Sequence, residues 1–288
     1  MPTKTSTPPQ RPLPLKEAMK GLVPPKVIPF LPTSFDLLGE IMILEIKDQV
    51  IPYEKKIAQT YLSMHKQIKV VCKRTGHYTG KYRLRKLKIL VGERRKTTTH
   101  KENGCVFTLH AESCYFSVRS ATERQRIADL VKPDETVLVL FSGVAPFPII
   151  LSKHSKAKEI IGVELNPVAH KFAQENIRKN KCMNVTLYCG DVKKIVPTLL
   201  RKHKTFSRVL MPLPKGGESF LDIAIRAVSP GGILHFYDFL HDDEFDLASQ
   251  KVKNAAQRAG RTVTLLGIHP CGQYAPHTYR ICVDAQIS

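Results

Sequence analysis

From residue 136 onward the chain alternates short apolar runs with longer one-sided segments, a rhythm that few folds accommodate. TVLVLF (136–141), EIIGVEL (159–165), VTLYCG (185–190), SRVLMPL (207–213) and GGILHFYDF (231–239) read as strands. Between them, PIILSKHS (148–155), PVAHKFAQENIRKNK (167–181), VKKIVPTLLRK (192–202) and GESFLDIAIRAV (217–228) read as helices. Strands connected through helices lie parallel, with helices covering both faces of their sheet. The class is therefore α/β, a doubly wound, mostly parallel Rossmann-like sheet spanning residues 104–288. DEFDLASQKVKNAAQRAG (243–260) adds a helix, and TVTLLGIHP (262–270) with TYRICVDA (278–285) predicts an antiparallel hairpin closing the edge. Ahead of the repeat, CVFTLHA (105–111) predicts a strand. SATERQRIADLV (120–131) predicts a helix, with Ser120 and Glu123 spaced as a capping box.

The chain's 288 residues leave room for a second unit before this one. FDLLGEIMILEI (35–46) reads as a strand pair and VIPYEKKIAQTYLSMH (50–65) as a helix. QIKVVCKR (67–74) and RKLKILVG (85–92) read as strands flanking the turn GHYTGKYR (76–83). Residues 29–103 thus form a small α+β module, and residues 1–28, with seven prolines, read as a flexible tail carrying at most a short helix near 15–22.

Charge narrows the partners. The formal net charge is +20, and between Lys66 and Lys101 thirteen Lys/Arg face a single acid, Glu93. A local net of +12 repels itself unless an anion compensates, and phosphate backbone is the commonest such anion. No amphipathic apolar face accompanies the patch, no apolar run is long enough to cross a bilayer, and no signal peptide is visible. The expectation is an RNA-binding protein of the cytoplasm, without membrane or obligate protein partners, and monomeric. Seven scattered cysteines with no CxxC pair argue for free thiols and against a metal site.

In an open α/β sheet, ligands bind beyond the carboxyl ends of the strands. Three successive strand ends carry suitable groups. FSGVAPF (141–147) has Gly143, where backbone can approach a ligand. Glu164 follows 21 residues later, at the spacing of a ribose contact, and Asp191 follows Gly190 at the next strand end. One glycine where dinucleotide loops carry two or three, together with this acid pair, favours S-adenosylmethionine over a dinucleotide.

LPTSFDLLGEIMIL, GKYRLR, THKENGCVF, YFSVRSATERQRIA, FSGVAPF, GVELNPVAH and YAPHTYR together resemble the Trm-type tRNA (guanine-37-N1)-methyltransferases of archaea and eukaryotes, over residues 29–285. The resemblance implies transfer of a methyl group from S-adenosylmethionine to N1 of the guanine next to the tRNA anticodon. It implies Glu123 as general base, with Arg119 and Arg83 as electrostatic support. It places Tyr115, Arg85, Met211 and Pro214 against the target nucleotide. Cofactor contacts fall on Arg124, Phe141, Gly143, Ala145, Pro146, Phe147, Glu164, Leu165, Asp191, Val192 and Pro212. A weakly acidic N1–H needs a carboxylate to take its proton, and charge developing on O6 suits a guanidinium.

The sequence departs from the family in three places. Pro212 stands where the family carries an asparagine, in LMPLP rather than Asn-Leu-Pro, so no side-chain amide is offered there. Ala145 replaces a second glycine, mild if its φ is negative. Only the proline-rich segment precedes LPTSFD, where the family usually carries a further small domain; if that domain is absent, tRNA recognition rests on the anticodon arm and the basic patch. Two other readings remain open: an aminocarboxypropyl transferase of the wybutosine pathway on the same scaffold, and a non-catalytic tRNA-binding protein.

Overall fold

The computed structural model describes residues 13–203 and 205–288, which divide into two units at Thr99/His100.

In the first unit, α1 (Leu15–Ala18) and a 3-10 turn (Pro25–Phe30) lead into β1 (Phe35–Leu38) and β2 (Ile41–Leu44). A second 3-10 turn (Asp48–Tyr53) runs into α2 (Glu54–Met64), which carries the chain back to β3 (Val70–Thr79), and β4 (Leu84–Gly92) follows. The four strands form one sheet in chain order, parallel at β2/β3 and antiparallel elsewhere. The turn read at 76–83 is shorter than expected, because β3 continues to Thr79 through a register shift after Thr75, next to Gly76 at φ +66°.

Two expectations for this unit need correction. Residues 1–12 lie outside the described part, but the rest of the supposed tail, residues 13–28, is anchored in the core by one residue in four. Leu15, Met19, Val23, Val27 and Leu31 are buried in one cluster with Ile57, Ala58 and Tyr61 of α2. The basic patch is also better compensated than a count along the chain suggests. Glu54 of α2 takes Lys73 and Lys88, Asp36 takes Arg74, Glu45 takes Arg74 and Arg85, and Glu40 takes Arg95. Burial raises the Glu54 carboxyl, but hydrogen bonds from Lys73 and Lys88 outweigh it and leave the group below its ordinary value. Lys66, Lys69, Lys81, Lys86 and Arg94 are exposed and carry the positive face that remains.

The unit boundary falls within β5 (Thr97–Glu102), which forms a two-stranded ribbon with β6 (Cys105–His110). The second unit then runs α3 (Ala121–Leu130), β7 (Thr136–Leu140), α4 (Pro146–His154), β8 (Glu159–Glu164), α5 (Pro167–Lys179), β9 (Val185–Cys189) and α6 (Val192–His203). It continues through β10 (Phe206–Met211), α7 (Leu221–Ala227), β11 (Val228–His241), α8 (Phe245–Arg258), β12 (Val263–Ala275) and β13 (Thr278–Ile287). Strand order is β12-β13-β11-β10-β7-β8-β9. The five strands β11-β10-β7-β8-β9 are parallel, and β13 is antiparallel to both β11 and β12. The expected hairpin is present, with its second strand inserted between β11 and the edge strand β12.

Alternation along the strands builds two cores. Leu138 and Leu140 of β7 face a cluster with Val196 and Leu199 of α6, Ala224 of α7 and Val252 of α8. Val137 and Val139 face the opposite cluster, with Ile127 of α3, Ile150 of α4 and Ala173 of α5. Helices thus cover both faces, and the carboxyl ends of β7, β8, β10 and β11 open together. Among the described residues, no helix is long and apolar enough to cross a membrane.

Candidate active site

The loop after β7 is held in an unusual backbone path. Phe141, Gly143 and Ala145 have φ of +56°, +57° and +66°. The turn closes through Ser142 N–H to Val163 O and Ala145 N–H to Ser142 O, both 2.9 Å. Ala145 therefore does not occupy the negative-φ position expected for a mild glycine replacement. It is the left-handed N-cap of α4, fully buried, at a cost of about 1 kcal/mol relative to a relaxed alanine. Relief of this strain should offset the loss of the buried methyl in Ala145→Gly. That variant is expected to change stability by less than about 0.5 kcal/mol, whereas Ala128→Gly, in the buried interior of α3, costs about 1–2 kcal/mol. Chemical denaturation of both variants compares them directly, and equal losses would show that position 145 carries no strain.

Glu164, at the end of β8, braces the loop. Its two carboxylate oxygens accept from the Gly143 and Asn166 N–H groups, each at 2.7 Å. Burial raises this carboxyl above its ordinary value, against the opposing pull of those amides. The Leu165 N–H also donates to this carboxylate, which leaves one acceptor site on the pair of oxygens for a ligand hydroxyl. Asn166 caps α5 by accepting from Val168 N–H. Asp191 performs the same service for α6, accepting from Lys193 N–H at 2.8 Å.

The expected capping box on α3 does not form. Ser120 occupies the N-cap position, but its hydroxyl donates to Ser117 Oγ at 2.9 Å. Glu123 turns inward and is 5 % exposed. Its Oε1 accepts from the Tyr237 hydroxyl at 2.6 Å and from Arg126 at 2.8 Å, and its Oε2 accepts from Arg126 Nε at 2.7 Å. Burial raises the Tyr237 phenol well above its ordinary value, so it remains a donor.

A cleft open to solvent brings the glycine loop and Glu123 together, while Glu164 and the buried Ala145, both expected at the cofactor, lie outside its lining. Of the residues expected in a site, Tyr115, Glu123, Arg124, Phe141 and Gly143 line it, as do Pro146, Phe147, Pro212 and Pro214. Others stand elsewhere. Arg119 is exposed on the short turn Val118–Ser120 and is not in the lining. Met211, expected against a base, is fully buried among core residues such as Leu221 and Leu234, which closes that role to it. Val192 is core as well, and Leu165 and Asp191 lie outside the lining. Arg83 and Arg85 belong to the first unit, where Arg85 donates to Gly76 O and pairs with Glu45. Arg124 reaches the cleft, but its guanidinium donates to both oxygens of Glu102 and to Ser117 O, fixing the turn ahead of α3.

Five lining residues carried no assignment from sequence, Phe116, Ser117, Ser142, Tyr237 and Arg280, and Ser120 was read only as a helix cap. Tyr237 sits in the apolar run HFYDF and reads there as core. Arg280 closes YAPHTYR, and it donates to Cys271 O and Ser117 Oγ across the cleft mouth.

These groups suit a nucleoside-bearing cofactor. A side chain built on Gly143 would meet nothing nearer than the Tyr115 carbonyl oxygen at 3.7 Å, so the glycine leaves a gap in the wall beside Glu164. Phe116, Phe141 and Phe147 supply flat apolar surface. A carboxylate beside a glycine loop at the carboxyl ends of a doubly wound sheet places the protein in the Rossmann-like class that binds nucleoside-bearing cofactors.

The comparison with known proteins is more specific. Residues 98–265 match the TRM5/TYW2 methyltransferase domain, and residues 15–96 match the TYW2 N-terminal domain. The chain belongs to the TRM5/TYW2 methyltransferase family. It is 36 % identical to the tRNA (guanine(37)-N(1))-methyltransferase Trm5b of Pyrococcus abyssi, over 92 % of this chain and 78 % of that protein. It is 34 % identical to the tRNA (guanine(37)-N(1))/4-demethylwyosine(37)-methyltransferase Taw22 of Nanoarchaeum equitans, over 87 % and 98 %. The fold superposes with a TM-score of 0.83 on the complex structure of aTrm5 and tRNALeu, at 28 % identity, covering all of this chain and 82 % of that one.

Proposed function

We propose that this chain is a tRNA methyltransferase that carries the methyl group of S-adenosylmethionine to N1 of guanosine 37. The observation that supports it most is a buried carboxylate, Glu123, facing the glycine-loop cleft in a chain 36 % identical to Trm5b. S-adenosylmethionine supplies an electrophilic methyl group on a sulfonium. Gly143 and Glu164 would hold its nucleoside end, and Phe141 and Phe147 would wall the rest. Guanine enters beside Tyr115, and Glu123 accepts the N1 proton as the N1–methyl bond forms and the sulfur–methyl bond breaks. Tyr237 and Arg126 keep that carboxylate in place while it waits. Arg119, exposed ahead of α3, is assigned to the RNA, and so is Arg83 in the first unit.

Two observations favour a second reading, aminocarboxypropyl transfer on the same scaffold. Residues 15–96 match the TYW2 N-terminal domain, and Pro212 and Pro214 form a cleft wall with no side-chain donor. Incubation with transcripts bearing G37 or A37, using cofactor labelled in the methyl or the carboxypropyl carbon, separates the readings. Methyl label dependent on G37 is expected. Carboxypropyl label would establish the second reading, and tRNA binding without transfer would leave a non-catalytic binder. We further place the protein in the cytoplasm, as a monomer without an obligate partner. Light scattering of the purified chain should return the 32.5 kDa of a single copy, and a dimer mass would contradict it.

A further inference from the structure

A chain of ionic and hydrogen-bonded groups runs inward from Glu123 through the second unit. Arg126, one turn along α3, holds Glu123 through Nε and one terminal nitrogen. Its other terminal nitrogen donates to Asp284 of β13 at 2.6 Å. Asp284 is the direct cross-strand neighbour of His235 on β11, whose Nδ1 lies 2.6 Å from Asp284 Oδ1. On the far side of that ring, Nε2 lies 2.6 Å from Arg208 of β10, which is held by both oxygens of Glu135 and by Leu130 O.

A guanidinium can only donate, so His235 Nε2 accepts and Nδ1 carries the proton given to Asp284. The ring is therefore neutral, in line with burial holding it below the ordinary histidine value. Burial would raise Asp284, but His235 and Arg126 outweigh it and hold the carboxyl well below its ordinary range. Asp284 is thus a fixed anion, and Arg126 lies between two carboxylates with all three side-chain nitrogens engaged. His269 of β12 stands 3.3 Å from the second oxygen of Asp284, and Cys282 of β13 is 3.2 Å from the first.

We propose that Arg126, braced by Asp284, is a positioning residue for methyl transfer: it acts on the substrate only through Glu123, fixing the rotamer in which that carboxylate faces the cleft. The inference rests on the reading of Glu123 as base. With Arg126 gone, Tyr237 alone grips one oxygen, and the carboxylate can turn about that single bond.

The test is a double-mutant cycle in single-turnover methyl transfer to G37 transcript, with cofactor binding by calorimetry as the check on folding. Arg126→Gln is expected to lower the rate constant by at least ~10-fold, with tRNA affinity held within ~2-fold, and Arg126→Lys to recover part of it. Asp284→Asn should show a smaller loss of the same kind. Because Arg126 acts through Glu123, Arg126→Gln added to Glu123→Gln should cost nothing further. If it slows that variant by its full single-mutant factor, or if tRNA affinity falls with the rate, the positioning role is wrong. A dead Glu123→Gln beside a fully active Arg126→Gln would overturn the bracing alone. A fully active Glu123→Gln would overturn the base assignment and the inference that depends on it.

Discussion

Glutamine at position 123 is expected to reduce the rate of methyl transfer by about 10²–10⁴-fold, the range general-base catalysis contributes, while tRNA and cofactor affinities stay near those of the parent. The side chain keeps its shape, and the amide oxygen can still accept from Tyr237 at the Oε1 position. What it loses is the ability to take a proton from N1. It also turns an amide N–H toward Arg126 Nε, two donors facing one another, so the variant's cofactor affinity must be checked first. Single-turnover kinetics at saturating tRNA, alongside binding titrations, measure the effect. Turnover and tRNA affinity falling by the same factor would reduce Glu123 to an RNA contact.

The second large effect is on stability. Arg208→Met removes a guanidinium that is 3 % exposed and leaves the Glu135 carboxylate and the acceptor face of His235 without it. Breaking a buried pair by deleting one partner costs about 3–5 kcal/mol, and methionine fills the space without supplying a donor. Denaturant unfolding should show that loss, and a change below about 1 kcal/mol would mean that the network is not coupled to folding. The same network predicts the acid limb of stability. The His235 folded-state value lies below the 6.5 of an unfolded histidine, so as pH falls below about 6.5 the unfolded chain binds a proton that the folded chain refuses. Stability is therefore full above that point and declines below it, and Asp284 adds a second decline below about 3.8. His235→Gln should flatten the first part of that curve.

Much of this was legible in the sequence. The β/α alternation from residue 136 gave the sheet and its helices because strands repeat every two residues and helices every 3.6, and FSGVAPF with Glu164 marked the strand ends that carry the cleft. The capping box misled, because Ser120 and Glu123 have the correct spacing but found better partners across space, in Ser117 and in Tyr237 with Arg126. No local pattern announces a tyrosine from β11 meeting a helix 114 residues earlier. The first unit holds a signal that prolines masked. Leu15, Met19, Val23, Val27 and Leu31 recur every four residues, and all five are buried. The patch near residues 66–101 looked self-repelling because its counter-ions, Asp36, Glu40, Glu45 and Glu54, lie earlier in the chain.

The position of β13 bears on how the protein is made. It follows every other strand in chain order, yet it lies inside the sheet and contributes both Asp284 and Arg280. A ribosome-bound chain emerging at ~5–20 residues per second can complete the first unit and the five parallel strands well before β13 leaves the exit tunnel. Until then β11 presents an unpaired edge, and Arg126 has only one of its two carboxylates. Insertion of β13 beside β11 therefore completes both the sheet and the bracing of Arg126 after the five parallel strands have formed.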